Sequence, residues 1–176
     1  MVIYLAGHGE AIDGKWYFIP SDIPYPLRKD SLVARSVSFD EMSALLVKIK
    51  AQKVVLLIDS CKSGAALSDV RNFDARKEWT VMARQTGVHV IAAASKDQSA
   101  IELPQLGHGA FTYLLLKGLE GSATKGGYGS QIGVVSLAEY VRQTLPDLSR
   151  QYNDGIPQVP VVYSRGSDFP LSARSR

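Results

Sequence analysis

The stretch Lys53-Val54-Val55-Leu56-Leu57-Ile58-Asp59-Ser60-Cys61-Lys62-Ser63-Gly64 decides how this chain folds. Its apolar part shows no in/out alternation, which is the pattern of a strand buried on both faces. It then breaks abruptly into polar, reactive residues. Three further runs read the same way: Val2-Ile3-Tyr4-Leu5-Ala6, residues 88–93 and residues 159–163. Helical stretches lie between them. Ser38 with Glu41 three residues on is a capping-box pattern, and Met42, Leu45, Leu46 and Ile49 follow at helical spacing. Residues 109–119 predict a second helix, with Phe111, Leu114, Leu115 and Leu119 on one side and Gly121 near its end. Residues 136–145 predict a third, opened by Ser136 and Glu139 as another box and stopped by Pro146.

Strand alternating with helix is the grammar of an open α/β sheet with parallel neighbours and helices on both faces. Three longer polar segments, residues 9–37, 62–87 and 121–133, interrupt it, and the Gly/Ser/Thr-rich last one reads as a mobile loop. No internal repeat and no second domain stand out. The 176 residues suit one sizeable core, and the 45% apolar and 21% charged composition is that of a globular domain rather than a disordered one. The apolar runs are far shorter than the ~20 residues of a membrane span. Net charge is +3, but the basic residues are scattered, so neither a nucleic-acid nor a membrane partner is expected. A single cysteine excludes an intramolecular disulfide, and with no secretory signal visible a cytoplasmic protein is expected. The first strand begins at once, with nothing before it to pair or lead in, which suggests a domain lacking its front.

Two of the strands end in chemistry. One runs into Gly7-His8-Gly9-Glu10 and the other into Asp59-Ser60-Cys61. Ligands of open α/β sheets bind beyond the carboxyl ends of the strands, and parallel neighbours lie about 4.8 Å apart. One rule therefore brings His8 and Cys61 to one sheet edge. A thiolate is the competent nucleophile, and an imidazole can take its proton and return it to a leaving amine. The backbone N–H groups of Gly9 and Cys61 are natural donors to an oxyanion in the same crevice. Taken singly, a strand-end Cys is more often a packing residue and a Gly-flanked His more often structural. Taken together, both at strand ends and both near glycine, they point to catalysis. His89 lies within a strand and reads as core or edge. His108 opens a helix, where capping is the plain reading.

Tyr4-Leu5-Ala6-Gly7-His8-Gly9 followed by Leu56-Leu57-Ile58-Asp59-Ser60-Cys61-Lys62-Ser63-Gly64 resembles the caspase-like cysteine peptidases, particularly the metacaspase and bacterial branch. Caspases proper carry Gln-Ala-Cys-x-Gly with the His about 50 residues upstream, and the interval from His8 to Cys61 agrees with that. Asp-Ser-Cys-Lys-Ser-Gly is similar to the metacaspase form. The resemblance continues through residues 90–102, the helix at 109–119 and Gln158-Val159-Pro160. It implies a three-layer, mostly parallel six-stranded sheet flanked by helices, of which the four strands here would be the third to sixth. The first two would be lacking, leaving residues 2–6 as an unpaired apolar edge.

Residues 1–70 would then be the large-subunit-like part and residues 88–176 the small-subunit-like part. Residues 71–87 would be a processing linker, with Arg71, Arg76, Lys77 and Arg84 on or beside it as sites of self-cleavage. The resemblance also implies that Asp59 lies beneath the P1 pocket and accepts an Arg or Lys side chain, with Asp97 or Glu102 as second acids. The plainer roles are a helix-capping or loop-bracing carboxylate for Asp59 and solvated loop positions for the other two. Ala6 stands where many metacaspases have Ser, so that hydroxyl is missing here. Part of the metacaspase group depends on calcium, but no Asp-rich loop of ligand spacing is present and no cofactor is expected. Polypeptide substrates are the expected partner, and bacterial relatives are often fused to an upstream sensor or repeat module. Two rival readings stay open: a catalytically silent assembly or regulatory module, and a separase-like or gingipain-like thiol peptidase or transpeptidase of other specificity.

Overall fold

A computed structural model of the protein describes residues 1–13, 15–23, 28–61, 88–94, 100–123, 131–164 and 167–172. The four expected strands are present as β1 (Val2–Ile12), β4 (Val54–Ser60), β5 (Val88–Ala92) and β8 (Val161–Ser164). Residues 9–37, read from sequence as a polar interruption, hold more order than expected. Strand β1 runs on through Gly-His-Gly to Ile12 and turns back into β2 (Lys15–Ile19), followed by α1 (Lys29–Arg35) and β3 (Val37–Ser38). The strand ends before Asp13, at φ +49°, which Gly14 follows in the sequence. Asp-Gly is a strong hairpin signal.

The six strands form one sheet in the order β3-β2-β1-β4-β5-β8. The expectation of a mostly parallel sheet needs correction, because the sheet is mixed. β1–β4 and β4–β5 are parallel, whereas β1–β2, β2–β3 and β5–β8 are antiparallel. β2 makes two of the antiparallel pairs, with β1 and with β3, and β8 reverses because the helix before it, α4 (Val134–Tyr152), returns the chain along the sheet. Parallel pairing is thus confined to the centre, where both faces are covered. β1 pairs with β4 from Val2 to Gly7 and with β2 only from His8 onward, so among the described residues its outer edge is unpaired over residues 2–7.

Period-two alternation in β4 splits the core. Val55 and Leu57 face α3 (Ala110–Lys117) and α4 (Val134–Tyr152), packing with Phe111, Leu114, Leu137 and Val141. Val54, Leu56 and Ile58 face the opposite side, where Trp16 and α2 (Phe39–Val47) with Met42 and Leu46 cover them. The result is the three-layer arrangement expected from the apolar runs. Asp59 continues the α3 face and Ser60 the α2 face.

Helix α2 carries the expected box: Glu41 N–H bonds Ser38 Oγ at 3.2 Å while the Glu41 carboxylate accepts from Ser38 N–H at 2.9 Å. The box proposed for the third helix is absent. α4 begins at Val134, and its first amides are bonded by the Phe169 carbonyl at 3.1 Å and Asp168 Oδ1 at 3.0 Å. Glu139 instead holds Arg142 at 2.7 Å. Nor does Pro146 stop the helix, which runs on to Tyr152. A mid-helix proline costs about 3 kcal/mol. Val134, Leu137, Val141 and Leu145 are buried on α4, and each contributes about 1.5–3 kcal/mol, which is enough to carry the helix through. The segments 62–87 and 124–130 lie outside the described residues, and with them the processing linker and most of the loop expected at 121–133. No helix among the described residues is long and apolar enough to cross a membrane.

Candidate active site

The parallel register sets Ala6 opposite Asp59 and Gly7 opposite Ser60, so His8 and Cys61 occupy the next positions on neighbouring strands. Both line a cleft of about 420 Å³ at that end of the sheet. Gly7 has φ +153°, a conformation that a side chain would strain, with the Phe18 ring only 3.2 Å from where a Cβ would stand. Gly9 is required for a different reason. A Cβ there would lie 2.6 Å from the Cys61 carbonyl oxygen, 2.6 Å from Trp16 Nε1 and 2.7 Å from Ser60 Oγ. The strand bearing His8 therefore packs directly against the backbone of the turn bearing Cys61. Ser60 Oγ donates to the Cys61 carbonyl at 3.3 Å. Among the described residues, the buried indole N–H of Trp16 has no hydrogen-bond partner.

On the other wall stand Asp59, Glu102, His108 and Thr112. Thr112, in the first turn of α3, donates both its hydroxyl and its backbone N–H to Asp59. The helix-bracing role considered for Asp59 is therefore real. It uses two of the roughly four acceptor positions of a carboxylate and leaves the others to the cleft. Burial pushes the Asp59 carboxyl above the usual carboxylate range, the hydrogen bond from Thr112 opposes this, and the nearby Glu102 charge adds to it. Glu102 comes from β6 (Glu102–Leu103), paired with β7 (His108–Gly109). A Cβ on Gly109 would lie 3.3 Å from Asp59 Oδ2 and 3.6 Å from Glu102 Oε1, so the two carboxylates share one small space. Among the described residues no cation forms a salt bridge with either. Asp97, the other acid expected here, lies outside the described residues.

His89 is a core residue. Nε2 donates to the Ser167 carbonyl at 3.2 Å, Nδ1 is hydrogen-bonded to Ser164 Oγ at 2.7 Å, and the ring stands edge-on to Phe169. His108 does not cap α3. Gly109 holds the N-cap position, and His108 is exposed on the cleft wall.

Three contributors escaped the reading of the sequence. Thr112 is a polar position in the first turn of an otherwise apolar helix. Tyr4 sits on the Asp59 face of β1, and its hydroxyl reaches Thr112 Oγ1 at 2.6 Å. Gln158 is buried, accepting from Ile101 N–H at 2.9 Å and donating to the Ala93 carbonyl at 2.8 Å, which ties β5 to the segment bearing Glu102. The sequence singled out Gln158 only as part of Gln158-Val159-Pro160, with no role attached.

No curated protein matches the chain. The sequence profile of the caspase domain, a family of cysteine peptidases, matches residues 1–170. With the mixed α/β sheet, a match over nearly the whole length shows that this chain belongs to the caspase domain family.

Proposed function

We propose that the chain is a cysteine endopeptidase of metacaspase type that cleaves polypeptides after Arg or Lys. The observation that carries this reading is the convergence on one cleft of a thiol, an imidazole and two carboxylates without a cationic partner among the described residues. His8 takes the Cys61 Sγ proton, and the thiolate adds to the scissile carbonyl carbon. The N–H groups of Gly9 and Cys61 hold the resulting oxyanion. Collapse breaks the C–N bond as His8 passes its proton to the leaving amine, leaving a thioester on Cys61. Water, deprotonated by His8, then adds to the thioester. The acid product departs and the proton returns to sulfur. These groups supply nucleophile and proton transfer themselves, so the reading includes no cofactor.

The P1 side chain enters beside Asp59, with Glu102 next to it. An arginine there forms charge-assisted hydrogen bonds, which are stronger than neutral ones. A lone thiol with no disulfide suits a reducing compartment, and the cytoplasm is the location this reading assigns.

Matched fluorogenic peptides with Arg or Asp at P1, given to wild type and Cys61→Ala, test the reading. Turnover of the Arg peptide, abolished in the variant, is the expected result. Turnover of the Asp peptide would keep the nucleophile and refute the acidic pocket. Turnover of neither would favour a catalytically silent assembly module.

A further inference from the structure

Asp59 is reached by a chain of hydroxyls whose direction follows from proton counting. An ionised carboxylate only accepts, so the single Thr112 hydroxyl proton lies toward Asp59. The 2.6 Å contact between Tyr4 and Thr112 must then be donated by Tyr4. The relay Tyr4 to Thr112 to Asp59 crosses from β1 to α3 to β4. It fixes one carboxylate oxygen, Oδ2, on the side facing α3, while Glu102 stands across the space above Gly109.

We propose that Tyr4 and Thr112 are positioning residues that hold the plane of the Asp59 carboxylate, and that this makes the pocket prefer arginine to lysine at P1. The inference rests on the reading of the cleft as a basic P1 pocket. A guanidinium is a rigid planar fork whose bonds need acceptors at set positions, whereas an ammonium is a compact charge with rotatable donors. A carboxylate free to turn still attracts both but loses the geometric advantage of the fork. Two acids arranged about one point, one of them locked, suit the guanidinium.

The test compares Thr112→Val, Thr112→Ser and Tyr4→Phe with wild type on matched P1-Arg and P1-Lys peptides. It adds the dissociation constant of benzamidinium measured on the same set in a Cys61→Ala background. Thr112→Val keeps the backbone N–H and the side-chain shape. It should raise KM for the Arg peptide about tenfold, with kcat within about threefold, since a lost charge-assisted hydrogen bond is a tenfold-scale effect. The Arg-to-Lys ratio of kcat/KM should fall with it, and benzamidinium should bind correspondingly more weakly. Thr112→Ser should restore all three quantities, and Tyr4→Phe should shift them the same way by about threefold. Alkylation of Cys61 by iodoacetamide, which has no charge to read, should proceed at the wild-type rate throughout.

An unchanged Arg-to-Lys ratio in Thr112→Val, or a Ser variant as impaired as the Val one, overturns the positioning role while leaving the peptidase reading intact. A wild type that cleaves neither peptide but whose benzamidinium binding responds as described sinks the peptidase and supports the positioning. Absence of both turnover and benzamidinium binding removes the basic pocket and this inference with it.

Discussion

A Cβ on Gly9 would stand 2.6 Å from the carbonyl oxygen of Cys61, closer than two such atoms can approach. The contact is with backbone, which cannot swing aside as a flexible side chain would. Gly9→Ala should therefore displace the His8 strand from the Cys61 turn. Peptidase activity should fall by about a hundredfold, the scale seen when an oxyanion donor is lost. Far-ultraviolet circular dichroism should keep the wild-type secondary structure, while the melting temperature falls because the same Cβ presses on Trp16 in the core facing α2. Activity within threefold of wild type would show that the close approach has no catalytic role.

Asp59 carries a pH signature. Burial, reinforced by the Glu102 charge and opposed by Thr112, raises its carboxyl above the usual range. The folded state thus holds this proton more tightly than the unfolded one. Its stabilising contribution is complete below the unfolded value near 4 and is lost as pH rises through the raised folded value. Asp59→Asn should accordingly melt at a higher temperature than wild type at pH 7, with the gap closing as pH falls toward 4. The same variant should lose most activity on the Arg peptide. A gap independent of pH, measured by thermal melts across that window, would contradict the account.

The buried Gln158 side chain satisfies Ile101 N–H and the Ala93 carbonyl, while the Gln158 backbone N–H donates to Ser149 Oγ at 2.6 Å. Gln158→Leu keeps the bulk and strands two backbone groups, each costing about 1–3 kcal/mol when left unsatisfied. Denaturant unfolding should show a loss of about 2–4 kcal/mol with little change in slope. A loss below 0.5 kcal/mol would mean that those groups find other partners.

On the proposed reading of a P1 pocket for basic side chains, Arg71, Arg76, Lys77 and Arg84, which follow Cys61 in the sequence, are the expected sites of self-cleavage. Purified wild type should contain fragments cut after one of these residues, and Cys61→Ala should remain a single intact mass. Identical single masses for both proteins would remove the idea.

Of the apolar runs at 2–6, 53–58 and 88–93, the last two were legible as central strands because side chains buried on both faces leave no alternation to misread, whereas the first, expected to be buried likewise, leaves Val2 and Tyr4 exposed. The reactive ends of the first two were legible, since parallel strands must deliver their carboxyl ends to one edge. Ser38 and Glu41 were legible because a capping box is local chemistry. The chain on its own thus determined a layered α/β domain with His8 and Cys61 at a common edge.

What the tertiary structure decided is everything that depends on distant partners. Pro146 stays helical because the core of α4 outweighs its local cost, and Ser136 yields its capping role to Asp168 and Phe169, far along the chain. The sheet became mixed because the strand through Gly-His-Gly continues into a hairpin whose apolar residues pack on α2 and α1. Asp59 came to share its space with Glu102 and to be locked by Thr112 and Tyr4 because three elements distant in sequence meet above Gly109. Local pattern sets periodicity and caps, whereas a pocket is made of long-range contacts, whose formation depends on which faces are buried together.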